Sequence, residues 1–301
     1  MKAVLGPVAD SRSCPCAPRP STSRPPDGTA DAYLAAPEGD GHHPGVILYM
    51  DAFGPRPRLE EMADRLAAEG YVVLVPHVFY RQGRAPLIDT SSLQDPDARR
   101  ELFAQIGPWM AALTPELAMR DADAYVDFLR SHDQVGNGPI GVTGYCMGGA
   151  LALRTAAEHP GDVGAAAAFH PARLATDAPD SAHLLADRLT AEVYVAAADQ
   201  DQGMPPEQQE RLDAALTAAG VTHTCEQYDG AAHGFHDVRH GRLRRAGDRA
   251  ALGGPDRPVP ARVAGVSHQG RGYQCGHGYE QAPAHQGRRR RHPAERRPGR
   301  R

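Results

Sequence analysis

Lysine is almost absent from this chain. Lys2 is the only one in 301 residues, so nearly all of the fixed basic charge is arginine. Long apolar runs are missing too. A membrane-spanning helix needs about 20 consecutive apolar residues, and no such span is expected here. No apolar h-region of the secretory type follows Lys2, so no secretory signal is expected either. Cysteine is scarce and odd in number: five, with no zinc-type spacing around Cys146 or Cys225. That argues against a disulfide framework and for a reducing, cytoplasmic compartment. There is no large charge imbalance. A net charge of −4 gives no reason to expect a nucleic acid or a membrane surface as partner.

The middle of the chain carries a strand–helix alternation. Apolar runs at 46–50, 71–75, 139–145, 163–169, 192–197 and 222–228 read as buried strands. Helical spacing covers 59–69, stopped by Gly70, then 116–130, 147–158 and about 206–219. Residues 77–114 are polar and irregular, and are expected to cross over the active site with short helical pieces only. Repeated βα units imply a mostly parallel sheet with helices on both faces and ligands at the carboxyl ends of the strands.

The ends differ. Hydrophobic residues make up 41% and mean hydropathy is −0.50, and the polar ends account for these modest values. Residues 1–26 form an irregular N-terminal segment, 27–235 the α/β domain, and 236–301 a tail rich in Arg, Gly, Pro and His. The tail reads as disordered or as a basic arm. A third reading follows from the arginine bias, which suggests a GC-rich gene whose shifted frames yield Arg, Gly, Pro and Ala. Residues 17–25 and 236–254 can both be back-translated so that the neighbouring frame gives fold-like sequence. An uninterrupted frame on resequencing both junctions would remove that reading.

The most informative stretch is Gly141-Val-Thr-Gly-Tyr-Cys-Met-Gly-Gly149. It is a G-x-C-x-G turn between a strand and a helix, with Cys146 where an α/β-hydrolase carries its nucleophilic serine. Gly144 and Gly148 are small because strand, bend and helix pass too close for a Cβ. A helix N-terminus beneath the sulfur favours a thiolate. The competing reading is a structural cysteine beside a glycine-rich turn. A cysteine nucleophile needs a base, an orienter and oxyanion donors. The carboxylate follows the strand 192–197, with Asp201 preferred and Asp199 in reserve; one of them is expected to cap the helix near Pro206. The base follows the last strand, at His233, with His170, His223 and His236 as competitors. The oxyanion donors are expected to be the N–H groups of Met147, next to the nucleophile, and Ala52, in the loop after the strand 46–50.

Gly144-Tyr-Cys-Met-Gly-Gly149, Met50-Asp-Ala-Phe-Gly54, Phe79-Tyr-Arg-Gln82, Asp201 four residues before Pro205, and Ala232-His-Gly-Phe235 together resemble the dienelactone hydrolase family. The resemblance covers about residues 27–235. It implies a cysteine-dependent α/β-hydrolase fold with Cys146, Asp201 and His233 as triad, no metal and no organic cofactor. It also implies that Asp51 takes the place of a family acid, usually glutamate, that holds the resting cysteine. Arg81 falls on the arginine that grips the substrate carboxylate, or else is a solvated loop residue. A second family arginine past the histidine is replaced by Asp237. The implied activity is hydrolysis of a dienelactone-type ester or lactone through a thioester, by a monomer or homodimer whose partner is a small molecule. A broad carboxylesterase or thioesterase, a non-catalytic binding module, an inactive product of a frame-disrupted gene and a basic-tailed nucleic-acid binder are the competing expectations.

Overall fold

Eight strands form one mixed sheet in the computed structural model, which describes residues 19–23, 27–90 and 95–234. They are β1 (Arg19–Ser23), β2 (Ala30–Ala35), β3 (Gly45–Tyr49), β4 (Val72–Pro76), β5 (Ile140–Tyr145), β6 (Val163–Phe169), β7 (Glu192–Gln200) and β8 (His223–Ala232). Their order is β1-β2-β4-β3-β5-β6-β7-β8. β1 and β2 run antiparallel to their neighbours, and β4 through β8 are parallel. The described residues lie in one unit, Met1–Gly265; a second, Val266–Arg301, lies outside them.

The central strands are near-continuous apolar runs because helices cover both faces of the sheet. Every residue of β3 and β4 is buried. The helices are α1 (Pro57–Ala68), α2 (Pro96–Ala112), α3 (Pro115–Arg130), α4 (Met147–Glu158) and α5 (Pro206–Ala218), and α1, α3 and α4 pack on the central strands. Ile47, Leu48, Tyr49, Leu74, Tyr125, Leu129 and Ile140 are fully buried between the sheet and the helices that cover its two faces. Tyr49 and Thr155 share a buried 2.8 Å hydrogen bond that links β3 to α4. No helix among the described residues is long and apolar enough to cross a membrane.

Three elements depart from the pattern of the sequence. β1 lies inside the segment that reads as irregular, because backbone pairing with β2 needs no side-chain pattern. β2 does not read as a strand; its alternating burial is short and rests on small alanines. The largest difference is α2, 17 residues long where only short pieces are expected. Its N-terminus is capped by Asp95, whose side chain accepts the Asp97 N–H at 2.9 Å. Ile106 is fully buried, and Trp109 meets Phe79 edge-on at 6.0 Å. Pro108 inside the helix and the exposed Phe103 and Met110 blur the periodic signal. The frame readings for 236–254 and the basic tail at 236–301 fall outside the described residues.

Candidate active site

Two neighbouring strand ends build the centre of the site. β3 and β5 pair in parallel with Tyr49 opposite Gly144, so Met50-Asp51-Ala52 and Tyr145-Cys146-Met147 emerge side by side. Cys146 sits between β5 and α4 with φ 56° and ψ −118°. A non-glycine residue at positive φ is strained, and the packing here enforces it. A Cβ on Gly144 would lie 2.1 Å from the Gly148 carbonyl oxygen, and one on Gly148 would lie 2.5 Å from that of Met50. The bend is anchored by the Cys146 N–H donating to the Phe169 carbonyl at 3.1 Å. Among the described residues, neither the Met147 nor the Ala52 N–H is spent on a backbone acceptor.

The acid and the base come from the outer pair of strands. β7 and β8 shift register between Ala198 and Gln200, after which Gln200 pairs with Ala232. The next residues are Asp201 and His233, so this pairing sets them face to face. His233 Nδ1 donates to Asp201 Oδ2 at 2.6 Å. The other Asp201 oxygen accepts the Gly203 N–H at 2.7 Å, and the carboxylate is buried. Cys146 lies near enough to the other side of the ring to raise its proton affinity. Burial alone would hold the ring's proton affinity down. The bond to Asp201 and the nearby Cys146 outweigh it and push the His233 pKa up to about 10.

Asp199 serves elsewhere. Its carboxylate accepts the Gly230 N–H at 2.8 Å, holding the turn before the base. Neither aspartate caps α5, whose N-cap is Pro205 with no side-chain cap. Of the competing histidines, His170 is the one beside the base. It is buried, has φ 35°, and meets the His233 ring edge-on at 4.8 Å. His223 is remote in β8, bonded to Asp213, and His236 lies outside the described residues.

Known proteins share this arrangement of strands and loops. Residues 30–251 match the model of the dienelactone hydrolase family. The chain belongs to that family. A candidate carboxymethylenebutenolidase of Methylorubrum extorquens is 31% identical, over 70% of this chain and 69% of its own. A carboxymethylenebutenolidase of Rhodococcus opacus is 29% identical over 67% of this chain and 74% of its own. The crystal structure of a candidate dienelactone hydrolase from Klebsiella pneumoniae shares the fold, with a TM-score of 0.65, 24% identity, and coverage of 79% of this chain and 98% of that one. Dienelactone hydrolases are carboxylic ester hydrolases, and this chain is one of them.

Two positions of the dienelactone hydrolase pattern are engaged in ways the sequence does not reveal. Asp51 is buried and accepts both arms of Arg56, at 2.7 and 2.6 Å, and the Phe53 N–H at 2.9 Å. Arg56 escapes sequence reasoning; its only signal is an arginine directly before the helix-starting Pro57, in an otherwise apolar loop. Arg81 has partners within the protein that its sequence position does not show. The sequence leaves it either solvated or gripping a substrate carboxylate. Instead its fork bonds Asp121 at 2.6 and 2.8 Å and Asp27 at 2.9 and 3.2 Å. Its guanidinium also lies 4.4 Å over the Tyr80 ring. Both carboxylates are its own protein's, so the group serves to fasten residue 27 and α3. Arg81→Met is expected to cost about 1.5–3 kcal/mol of unfolding free energy, the range for hydrogen bonds to charged groups. Its KM for a carboxylated lactone should stay within about threefold of the parent; a rise of tenfold or more would restore the substrate role.

Proposed function

We propose that this chain hydrolyses a small, neutral carboxylic ester or lactone by acyl transfer through Cys146. The observation that carries the reading is His233, hydrogen-bonded at 2.6 Å to the buried Asp201 and near enough to Cys146 for the sulfur to raise its proton affinity. The raised proton affinity of His233 favours an imidazolium beside the Cys146 sulfur. The thiolate attacks the carbonyl carbon, and the oxyanion is met by the N–H groups of Met147 and Ala52. His233 Nε2 gives its proton to the leaving oxygen as the carbon–oxygen bond breaks. In a lactone that oxygen stays tethered to the acyl group. The neutral ring then takes a proton from water, which attacks the thioester and releases the acid. Asp201 keeps the ring oriented through both steps.

A neutral substrate is favoured over a carboxylated dienelactone because the fork of Arg81 is held by Asp27 and Asp121 and that of Arg56 by Asp51. The test compares a neutral aryl acetate with a carboxylated dienelactone. A kcat/KM for the neutral ester equal or higher supports the reading; a tenfold preference for the carboxylated lactone removes it.

The pH dependence has a definite sign. The proton on His233 contributes stability in full below its ordinary pKa of 6.5, and the contribution is lost as pH rises through about 10. Activity drawn from the thiolate–imidazolium pair should fall over the same alkaline limb. Asp201→Asn removes a bond that raises the pKa, so the limb of kcat/KM should move down by at least about one unit. An unmoved limb in the pH–rate profile would separate His233 from the reaction.

A further inference from the structure

Away from the elbow, α5 and β8 bring together three side chains of metal-binding type. Asp213 lies in α5; His223 and Cys225 lie two apart in β8, on one face of the strand. A carboxylate oxygen, a ring nitrogen and the Cys225 sulfur all lie within 4.8 Å of one another. His223 Nε2 is 3.2 Å from Asp213 Oδ1. Tetrahedral zinc, with bonds of about 2.0–2.3 Å, spaces its ligands about 3.3–3.8 Å apart. Small side-chain rotations close the triplet on such an ion.

The hydrogen bonding points the same way. His223 Nδ1 is 2.7 Å from the Val221 carbonyl oxygen, which only accepts. Nδ1 therefore carries a hydrogen, and in the neutral ring Nε2 presents its lone pair. Nε2 faces the Asp213 carboxylate at 3.2 Å, a gap that either a proton or a metal cation can bridge. A backbone carbonyl behind an imidazole is also the arrangement that orients histidine ligands.

We infer that Asp213, His223 and Cys225 form a binding site for a borderline-soft divalent cation, zinc in particular. Thiolate and imidazole do not suit magnesium or calcium. Binding forms a metal–sulfur bond and releases the Cys225 proton to solvent. The carboxylate is half open to water, at 55% side-chain exposure, so solvent supplies the fourth ligand. The role is that of a clamp. It joins α5, which follows the Asp201 loop, to β8, which ends beside His233.

Zinc binding to the full chain is measured with a chromophoric competitor, alongside the rate at which iodoacetamide alkylates Cys225, read by peptide mass spectrometry. The parent should bind one more equivalent of zinc than Cys225→Ala or His223→Gln. Asp213→Asn, an exposed change that leaves the fold in place, should weaken binding about tenfold or more. Zinc should slow alkylation of Cys225 at least about tenfold, since a bound thiolate is no longer free to attack. Equal zinc stoichiometry and affinity in the parent and all three variants would overturn the site, as would alkylation of Cys225 indifferent to zinc. Those are the results of a plain imidazolium–carboxylate pair. Neither readout involves ester turnover.

Discussion

Replacing Cys146 with alanine is expected to lower ester turnover by at least about four orders of magnitude, leaving the residual rate that oxyanion donors and binding supply alone. The fold should survive. Alanine inherits the same φ of 56°, and the sulfur is only partly buried, so the change in unfolding free energy should stay within about 1 kcal/mol. Circular dichroism and urea unfolding check the second point, and steady-state hydrolysis of an aryl acetate checks the first. A slow ester should also leave an acyl adduct on the Cys146 peptide of the parent. Turnover within tenfold of the parent in Cys146→Ala would remove this residue as nucleophile.

The second large effect is on stability. Arg56 and Asp51 form a bidentate pair with side-chain exposures of 8% and 5%. Removing one partner strands a buried charge, which costs about 3–5 kcal/mol. Arg56→Met should therefore lower the urea midpoint sharply. The double replacement Asp51→Leu with Arg56→Met should be less destabilised than the sum of its parts, since no charge is left unpaired. Turnover should fall in Arg56→Met as well, because the same loop holds the Ala52 N–H. A cost below about 1 kcal/mol would mean that water reaches the pair and that the loop is held by other contacts.

How much of this is legible in the sequence follows from the physics of each residue. Gly144 and Gly148 can be read because a close backbone crossing permits only glycine, and the pattern survives without knowledge of the partners. His233 can be singled out because a histidine among small residues after a terminal strand has few structural uses. The central strands are legible as apolar runs. α2 is not, because exposed apolar residues and an internal proline erase its period. Arg56 and Arg81 are illegible for another reason. An arginine's role depends on which carboxylate reaches it across the fold, and the bond from Arg81 to Asp121 spans 40 residues.

The register shift in the outer strands has a consequence for how function is lost. The sulfur and the proposed oxyanion donors follow β3 and β5, deep in the sheet, whereas Asp201 and His233 follow or end β7 and β8, the pair at one edge of it among the described residues. The molecule is thus divided into a rigid anvil and a proton relay that hangs from a hem. Fraying of the hem would leave a reactive thiol in place with no relay to complete the cycle. Under the proposed mechanism, sheet-edge breathing is then a built-in point of failure, one that would halt both acylation and deacylation while the centre of the fold stays intact.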